Sequence, residues 1–441
     1  MAESIKNQQR ILDKLKIKSL NPMQEETHLA IESASDVVLL SPTGTGKTLA
    51  FLLPIIKRLD VSLAEVQALI VVPSRELAIQ IEQVIREMGS GFKTNAVYGG
   101  RAGSKDKMEL KHRPAILIGT PGRVADHLRR ETFAVDRIET LVLDEFDKSL
   151  EVGFEEEMTE ILGALPKVKK RVLTSATQEA DIPKFVRLLN PIYVNYLDEK
   201  LSQLEIKILG ASGKNKPEAL IQALGHINGL KPGQGIVFCN FKDTIQQVSN
   251  ALEKNGISHG CFYGGMEQKD RERALIKFRN GTHQLIVATD LAARGIDIPD
   301  IKFIIHYQMP PRIEEFTHRN GRTARMKSDG TAYVLRWKEE RMPEYIKSEN
   351  LKTQQADNGT ALKRTAWQTL FISGGRKDKI SKGDVAGLFL KQGKLNQDEL
   401  GVIEIKQDCA FVGVHSSKTK GLIPLVDNSR LKKKKVRVTL I

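Results

Sequence analysis

Cysteine is scarce in this chain. Cys239, Cys261 and Cys409 are an odd number, far apart and without paired spacing, which excludes a disulfide framework and a zinc-ligand set as the basis of the fold. No apolar run approaches the roughly 18 residues that a membrane span needs, and the polar opening MAESIKNQQR does not read as a signal peptide. These absences predict a cytoplasmic protein in a reducing setting, with no membrane partner. Aromatic residues make up only 5% of the chain, and none precedes Phe51.

What is present points to several globular domains. At 441 residues with 40% hydrophobic composition, the chain has enough apolar material for more than one core. The formal net charge is +14 and unevenly placed. From Lys363 to Ile441 there are 17 Lys and Arg against 7 Asp and Glu, a surplus of ten, which leaves four for the 362 residues before it. A diffuse surplus is commonly a solubility device, whereas one packed into a short segment reads as a footprint for phosphates.

Short apolar runs alternate with amphipathic stretches through the first half, the pattern of a parallel sheet covered by helices. Asp36 to Leu40, Gln67 to Val72, Ala115 to Gly119, Thr140 to Asp144 and Arg171 to Ser175 read as buried strands. The alternation resumes with Gly235 to Cys239, Gln284 to Thr289 and Lys302 to Tyr307, after a polar connection near Leu197 to Ser202. The expected division is two α/β domains over 1–200 and 201–347, a linker over 348–365, and a final domain over 366–441. In that last part strand Trp367 to Ser373 leads to a helix opened by Ser381 with Asp384 three residues on, a capping-box pattern. Strands Gly401 to Lys406 and Cys409 to His415, a helix from Ser416 and strand Val436 to Leu440 follow. This βαββαβ order is that of an RRM-like α+β fold.

Three motifs carry chemistry. SPTGTGKT, Ser41 to Thr48, lies between a strand and a helix, where backbone N–H groups can cradle phosphates. Its residues Thr43, Gly44, Thr45 and Gly46 form the cradle, Lys47 reaches the β- and γ-phosphates, and Thr48 holds Mg²⁺. Ser41 stands where the general phosphate loop has its first glycine. DEFD, Asp144 to Asp147, ends a strand in the place of a Walker B pair, with Asp144 for the metal and Glu145 for the attacking water. HRNGRTAR, His318 to Arg325, spaces three arginines by three on an expected helix, so that they share a face. Each has a plainer reading alone: a mobile loop, a solvated acidic turn, a surface salt-bridge ladder.

Taken in order, eleven motifs resemble those of the DEAD-box helicases: Gln24 in NPMQ, SPTGTGKT, PSRELA, YGGR, TPGR, DEFD, SAT, VFCN, QKDR, ATDLAARGID and HRNGRTAR. The resemblance covers about residues 20 to 340 and implies two tandem RecA-like P-loop domains, each α/β, that hydrolyse ATP with Mg²⁺ and act on RNA. It implies adenine recognition by Gln24, ribose contact by Asp297, and γ-phosphate contact by Arg322 and Arg325. Ser175, Thr177 and His318 would couple the domains. Pro73, Arg75, Gly100, Arg101, Thr120, Arg123, Thr289 and Asp290 match positions that hold the RNA backbone.

Departures from the family pattern are Phe146 in place of alanine, expected to pack behind the acidic pair, and Ala324 in place of glycine. The aromatic that usually stacks on adenine is missing upstream of Gln24, which predicts weaker nucleotide binding. The final segment resembles the RNA-binding domain of the DbpA subfamily, above all in Phe371 to Val385 and Gly401 to Ile405. That resemblance implies targeting to a hairpin of the large-subunit ribosomal RNA. Cys409 and Val414 stand where an ordinary RRM has stacking rings, and Phe411 reads as core. RNA contact is therefore expected through Arg376, Lys377 and Lys379 and through Lys432 to Lys435. The expectation is a monomeric ATP-dependent RNA helicase that remodels structured RNA during large-subunit assembly. A nucleotide-insensitive RNA-binding scaffold and a DNA helicase are the alternatives.

Overall fold

In a computed structural model the chain is described over residues 7–100, 103–151, 153–177, 182–197, 204–211, 214–230, 233–290, 301–323, 330–338, 340–346, 351–356 and 365–441. It divides near residue 201 into two compact units. Among the described residues no helix is long and apolar enough to cross a membrane.

The first unit is built on seven parallel strands: β1 Asp36–Leu40, β2 Ala68–Val71, β3 Thr94–Val97, β4 Ile116–Gly119, β5 Thr140–Leu143, β6 Lys170–Ser175 and β7 Ile192–Asn195. Their order across the sheet is β3-β4-β2-β5-β6-β1-β7. The central strands are continuous Val, Ile and Leu runs because helices cover both faces; every residue of β1, β2, β4 and β5 is buried. Local signals set the helix starts. Asn21 caps Pro22–Ser33 in a capping box with Gln24 and a proline in the first turn. Ser74 caps Arg75–Met88, which stops at Gly89 in a left-handed conformation.

The second unit repeats this plan. Strands β8 Leu204–Ala211, β9 Gly235–Phe238, β10 His259–Phe262, β11 Leu285–Ala288, β12 Phe303–His306, β13 Gly330–Trp337 and β14 Lys352–Gln355 form a parallel sheet in the order β10-β11-β9-β12-β13-β8-β14. Strand β14 corrects the linker expected over 348–365. Lys352–Gln355 pairs with Lys207–Gly210 of β8 as the edge of the sheet, so its polar side chains do not prevent it from being a strand.

The same unit contains the tail domain. Strands β15 Trp367–Ile372, β16 Leu400–Ile405, β17 Ala410–His415 and β20 Val438–Leu440 make an antiparallel sheet in the order β16-β17-β15-β20, with β18 Arg430–Leu431 and β19 Lys434–Lys435 as a separate hairpin. Side chains alternate across the sheet. Leu370, Ile372, Val412 and Val414 face a core with Phe389 and Leu422 of the helical segments. Trp367, Thr369, Phe371, Phe411 and Gly413 fall on the opposite face by the same alternation. Phe411 is buried, as the sequence predicts, and on this opposite face its ring lies edge-on to Phe371 at 5.7 Å.

Candidate nucleotide and RNA sites

In open parallel sheets ligands bind at the carboxyl ends of strands, and the first sheet sorts its motifs there by strand. Neighbours β5, β6 and β1 lead into DEFD, SAT and the phosphate loop. Neighbours β3, β4 and β2 lead into Tyr98 to Gly100, Thr120 and Pro73.

The phosphate loop is pinned by its own polar groups. Lys47, 8% exposed, donates to the carbonyls of Ser41 at 2.5 Å and Pro42 at 3.0 Å. Ser41 Oγ donates to Thr45 Oγ1 at 2.8 Å, and Thr45 Oγ1 donates to Pro42 O at 2.9 Å. The serine that replaces the usual glycine thus ties the loop together. Gly46 has φ of 90°, and a Cβ there would run into the Gln24 amide, so only glycine serves. Gln24 Nε2 donates to Gly46 O at 3.2 Å, and its Oε1 accepts from Asn21 N at 3.0 Å. The side chain expected to read adenine is fixed beside the loop. Thr48 is half-buried in the first turn of the helix Lys47–Arg58, and Thr43 and Gly44 lie in the turn before it.

Asp144 is 3% exposed and Glu145 follows it in a left-handed backbone conformation, φ 49°. Such a backbone in a non-glycine residue is strained and is found at functional positions. Thr174, which belongs to none of the motifs, holds the pair: its hydroxyl donates to Asp144 Oδ1 and accepts from Glu145 N at 3.1 Å. Burial, and then the neighbouring Glu145, push the Asp144 carboxyl up to about 6. Phe146, 1% exposed, packs in the apolar cluster with Phe133 and Leu143. Thr177 donates to Asp147 Oδ2 at 3.4 Å and its N–H to Ser175 Oγ at 3.0 Å, which links SAT to DEFD.

On the other half of the edge, Arg75 lies against Gly99 and Gly100. Arg123 donates to Asp106 at 2.8 and 2.9 Å and to Asp126 at 3.1 Å. Thr120 begins the helix Pro121–Arg129, and Pro73 follows β2. Arg101 lies outside the described residues.

In the second unit Arg319 and Arg322 do not share a helical face as expected. The helix Ile313–Asn320 ends at Gly321, so Arg319 is on it and Arg322 is not. Arg322, 7% exposed, lies beyond its end, while Arg325 and Asp297 are outside the described residues. Arg319 is 1% exposed and is a clamp. It donates to both oxygens of Asp290 at 2.6 and 2.5 Å, to Asn240 Oδ1 at 2.8 Å and to Gln308 O at 2.6 Å. These partners follow β11, β9 and β12, three adjacent strands. Asp290, expected at the RNA backbone, is thus held by Arg319, and neighbouring Thr289 donates its N–H to Phe262 O at 3.2 Å.

The tail gathers its expected basic residues. Lys377 and Lys379 are exposed in the turn that follows β15, with Arg376 half-buried beside them. Lys434 of the hairpin bonds Asp378 of that turn at 3.0 Å, and Lys432 bonds Asp384 at 2.8 Å. Lys432, with Ser381, holds the Asp384 carboxyl down at about 2. The two lysine-rich stretches form one basic edge.

Comparison with known proteins agrees along the chain. The DEAD/DEAH box helicase family matches residues 21–185, the helicase conserved C-terminal domain 215–327, and the DbpA RNA binding domain 369–440. The ATP-dependent RNA helicase DbpA of Bacillus subtilis is 31% identical, with 97% of this chain and 96% of the relative covered. DbpA of Escherichia coli is also 31% identical, over 98% and 96%. Among solved structures, Mss116p bound to ssRNA and AMP-PNP aligns with a TM-score of 0.69 at 26% identity, covering 81% of this chain and 78% of that one. S. cerevisiae Dbp5 bound to RNA and ADP BeF3 aligns with a TM-score of 0.67 at 25% identity, covering 81% and 96%. With strands, motifs and relatives in register over nearly the full length, the chain belongs to the DEAD-box ATP-dependent RNA helicases of the DbpA type, an RNA-binding ATPase.

Proposed function

We propose that this helicase remodels structured ribosomal RNA during assembly of the large subunit, its tail holding an RNA hairpin while the two helicase domains work on a neighbouring duplex. The observation that carries this reading is the basic edge, where the Arg376–Lys379 turn and the Lys432–Lys435 hairpin meet through Asp378 and Lys434. The helicase motifs aim at the RNA backbone, which gives little sequence selectivity; a separate anchor supplies it.

In the first unit, Lys47 and the loop Thr43 to Thr48 bind the phosphates of ATP, and Gln24 reads the base. Two adjacent carboxylates in a buried place fit Mg²⁺, since a cation favours the ionised form that burial of Asp144 opposes. No group of three or more acidic, His or Cys side chains that could cage a metal exists among the described residues. The ion would therefore sit on Asp144 and Thr48 together with the nucleotide phosphates. When bound, it would neutralise charge that develops on the phosphates. Glu145 orients and deprotonates the attacking water, while Thr174 fixes the Asp144 carboxylate and the Glu145 backbone. Arg322 and Arg325 of the second domain are assigned to the γ-phosphate and Asp297 to the ribose. Pro73, Arg75, Gly100, Arg101, Thr120, Arg123, Thr289 and Asp290 are assigned to the RNA backbone.

Neutralising Arg376, Lys377 and Lys379 together is expected to weaken binding of a large-subunit rRNA hairpin. It should also make the log–log salt dependence shallower by roughly 0.7–0.9 for each phosphate that the protein no longer neutralises. Fluorescence anisotropy over a salt series measures both. An unchanged slope would remove these residues from the RNA site.

A further inference from the structure

Phe241 is the most exposed aromatic side chain among the described residues, at 65%. It stands at the carboxyl edge of the second sheet, between strand β9 and the helix Lys242–Lys254. A lone exposed apolar side chain is ordinary on a surface, but this one occupies the capping position of a helix. Ser, Thr, Asp and Asn are the residues that cap well, and Phe241, with an extended backbone, makes no side-chain cap hydrogen bond. The ring does not gain burial in exchange, although a phenyl group is among the largest apolar surfaces that a side chain can hide. A position that gives up both the cap and the burial breaks the local rules in the way functional sites do.

The neighbours of Phe241 indicate the ligand. Strand β11 runs beside β9 with Ala288 opposite Phe238, and the Cys239 N–H donates to the Ala288 carbonyl at 2.9 Å. Thr289 and Asp290 therefore leave the sheet alongside Cys239 and Asn240. Arg319 joins Asn240 to Asp290. The Asn240 N–H donates to Gln308 Oε1 at 2.9 Å, and its Nδ2 donates to the Met309 carbonyl at 2.9 Å. Phe241 follows directly on this clamped residue, so an exposed ring is carried on a rigid mount. Lys242 beside it is exposed, with Nζ 5.5 Å from the centre of the Tyr263 ring at the end of β10, the strand on the other side of β11. Beyond Tyr263, Gly265 has a φ of 89° and open space where a Cβ would lie. Three adjacent strands thus end in a cation, a bare stretch of backbone and a flat exposed ring. A single nucleic-acid strand, with charged phosphates and flat bases, uses all three.

We infer that Phe241 stacks on an unpaired base of the RNA strand whose backbone is held at Thr289 and Asp290, so that this helicase grips a base of its substrate as well as its phosphates. The inference rests on the proposed backbone role of Thr289 and Asp290. Every base has a face for a phenyl ring, so the contact adds affinity with little sequence preference. In a regular duplex both faces of a base are covered by its neighbours. The ring therefore favours the opened strand over the duplex.

Single-stranded RNA carrying one abasic nucleotide, moved stepwise along the strand, tests this with the full chain and AMP-PNP. The parent should lose roughly five- to a hundredfold in affinity at one abasic position, the range for one stacked base. Phe241→Leu, which stays apolar, should bind intact RNA with that same loss and no longer respond to the abasic position. Phe241→Trp should keep the parent pattern. The log–log salt slope should be equal in all three, since a stacked base releases no counterions. Phe241→Thr separates contact from folding: its hydroxyl suits the helix cap, so its urea midpoint should rise while its RNA affinity falls. Equal affinity of Phe241→Leu and the parent for intact RNA, or losses at the abasic positions that are the same in both proteins, would overturn the stacking. Thr289→Ala tests the backbone reading apart. Weaker binding in Thr289→Ala with parent affinity in Phe241→Leu would remove the stacking alone, and parent affinity in both would remove the backbone reading with it.

Discussion

Glu145 combines a strained backbone with a carboxylate next to the buried Asp144, and Thr174 touches both residues. A backbone pinned in this way suits the role in reaction geometry proposed for Glu145 more than one in nucleotide affinity. On the proposed mechanism Glu145→Gln keeps the shape and removes the base. It is expected to abolish steady-state phosphate release while ATP binding persists and the protein stays on RNA longer. Near-normal turnover in that variant would take Glu145 out of the mechanism. At the other end of the nucleotide, no aromatic precedes Phe51, which is itself buried in the core. Loss of a stacking ring is worth about 0.5–1.5 kcal/mol, up to about tenfold in affinity. On the proposed reading, selectivity for adenine rests on Gln24, whose amide is already oriented by Gly46 and Asn21. Competition between ATP and GTP should show clear selectivity in the parent and little in Gln24→Ala; selectivity that survives would mean another group reads the base.

At the scale of elements, the clamp of Arg319 and the ring of His306 organise the carboxyl edge of the second sheet. His306 stacks on Phe316 at 4.5 Å and its Nε2 pairs with Asn320 Oδ1 at 2.9 Å. Burial, and then the Arg319 charge, push its pKa down to about 3. Burial likewise holds His283 at about 4. Both folded values lie below the ordinary 6.5, so on acidification the unfolded chain takes up protons that the folded chain refuses. Stability is then complete above pH 6.5 and declines as pH falls toward 4 and 3. The urea midpoint of the second unit should drop between pH 7 and pH 5, and drop less steeply in His306→Gln; parallel declines would show that this histidine is not responsible.

These elements also show what the sequence makes legible. Central strands such as β1, β2 and β9 are unbroken apolar runs because both faces are buried, and they stand out. Edge strands β3, β7, β10 and β14 do not: Tyr193 on β7 is 56% exposed, and Lys352–Gln355 has no apolar pattern at all. The motif residues are visible as linear strings. Thr174 and Arg319 are not visible as a bridge and a clamp, since their partners come from separate strands. Nor can spacing show that a helix stops at Gly321.

For the molecule as a whole, the proposed function puts catalysis and targeting in different parts: motifs at the carboxyl ends of two parallel sheets, and a basic edge on an antiparallel one. The boundary between them falls after β14, because removal of Lys352–Gln355 would strip an edge strand from the second helicase domain. A chain ending after Ala356 keeps both sheets whole. The most direct test of this division is phosphate release by the full chain and by that shortened chain, at matched salt, with large-subunit rRNA and with an unrelated structured RNA as activators. The full chain should respond more strongly to the rRNA, and the shortened chain should hydrolyse ATP alike with either. Equal activation of the full chain by both RNAs, or an rRNA preference that survives loss of the tail, would contradict it.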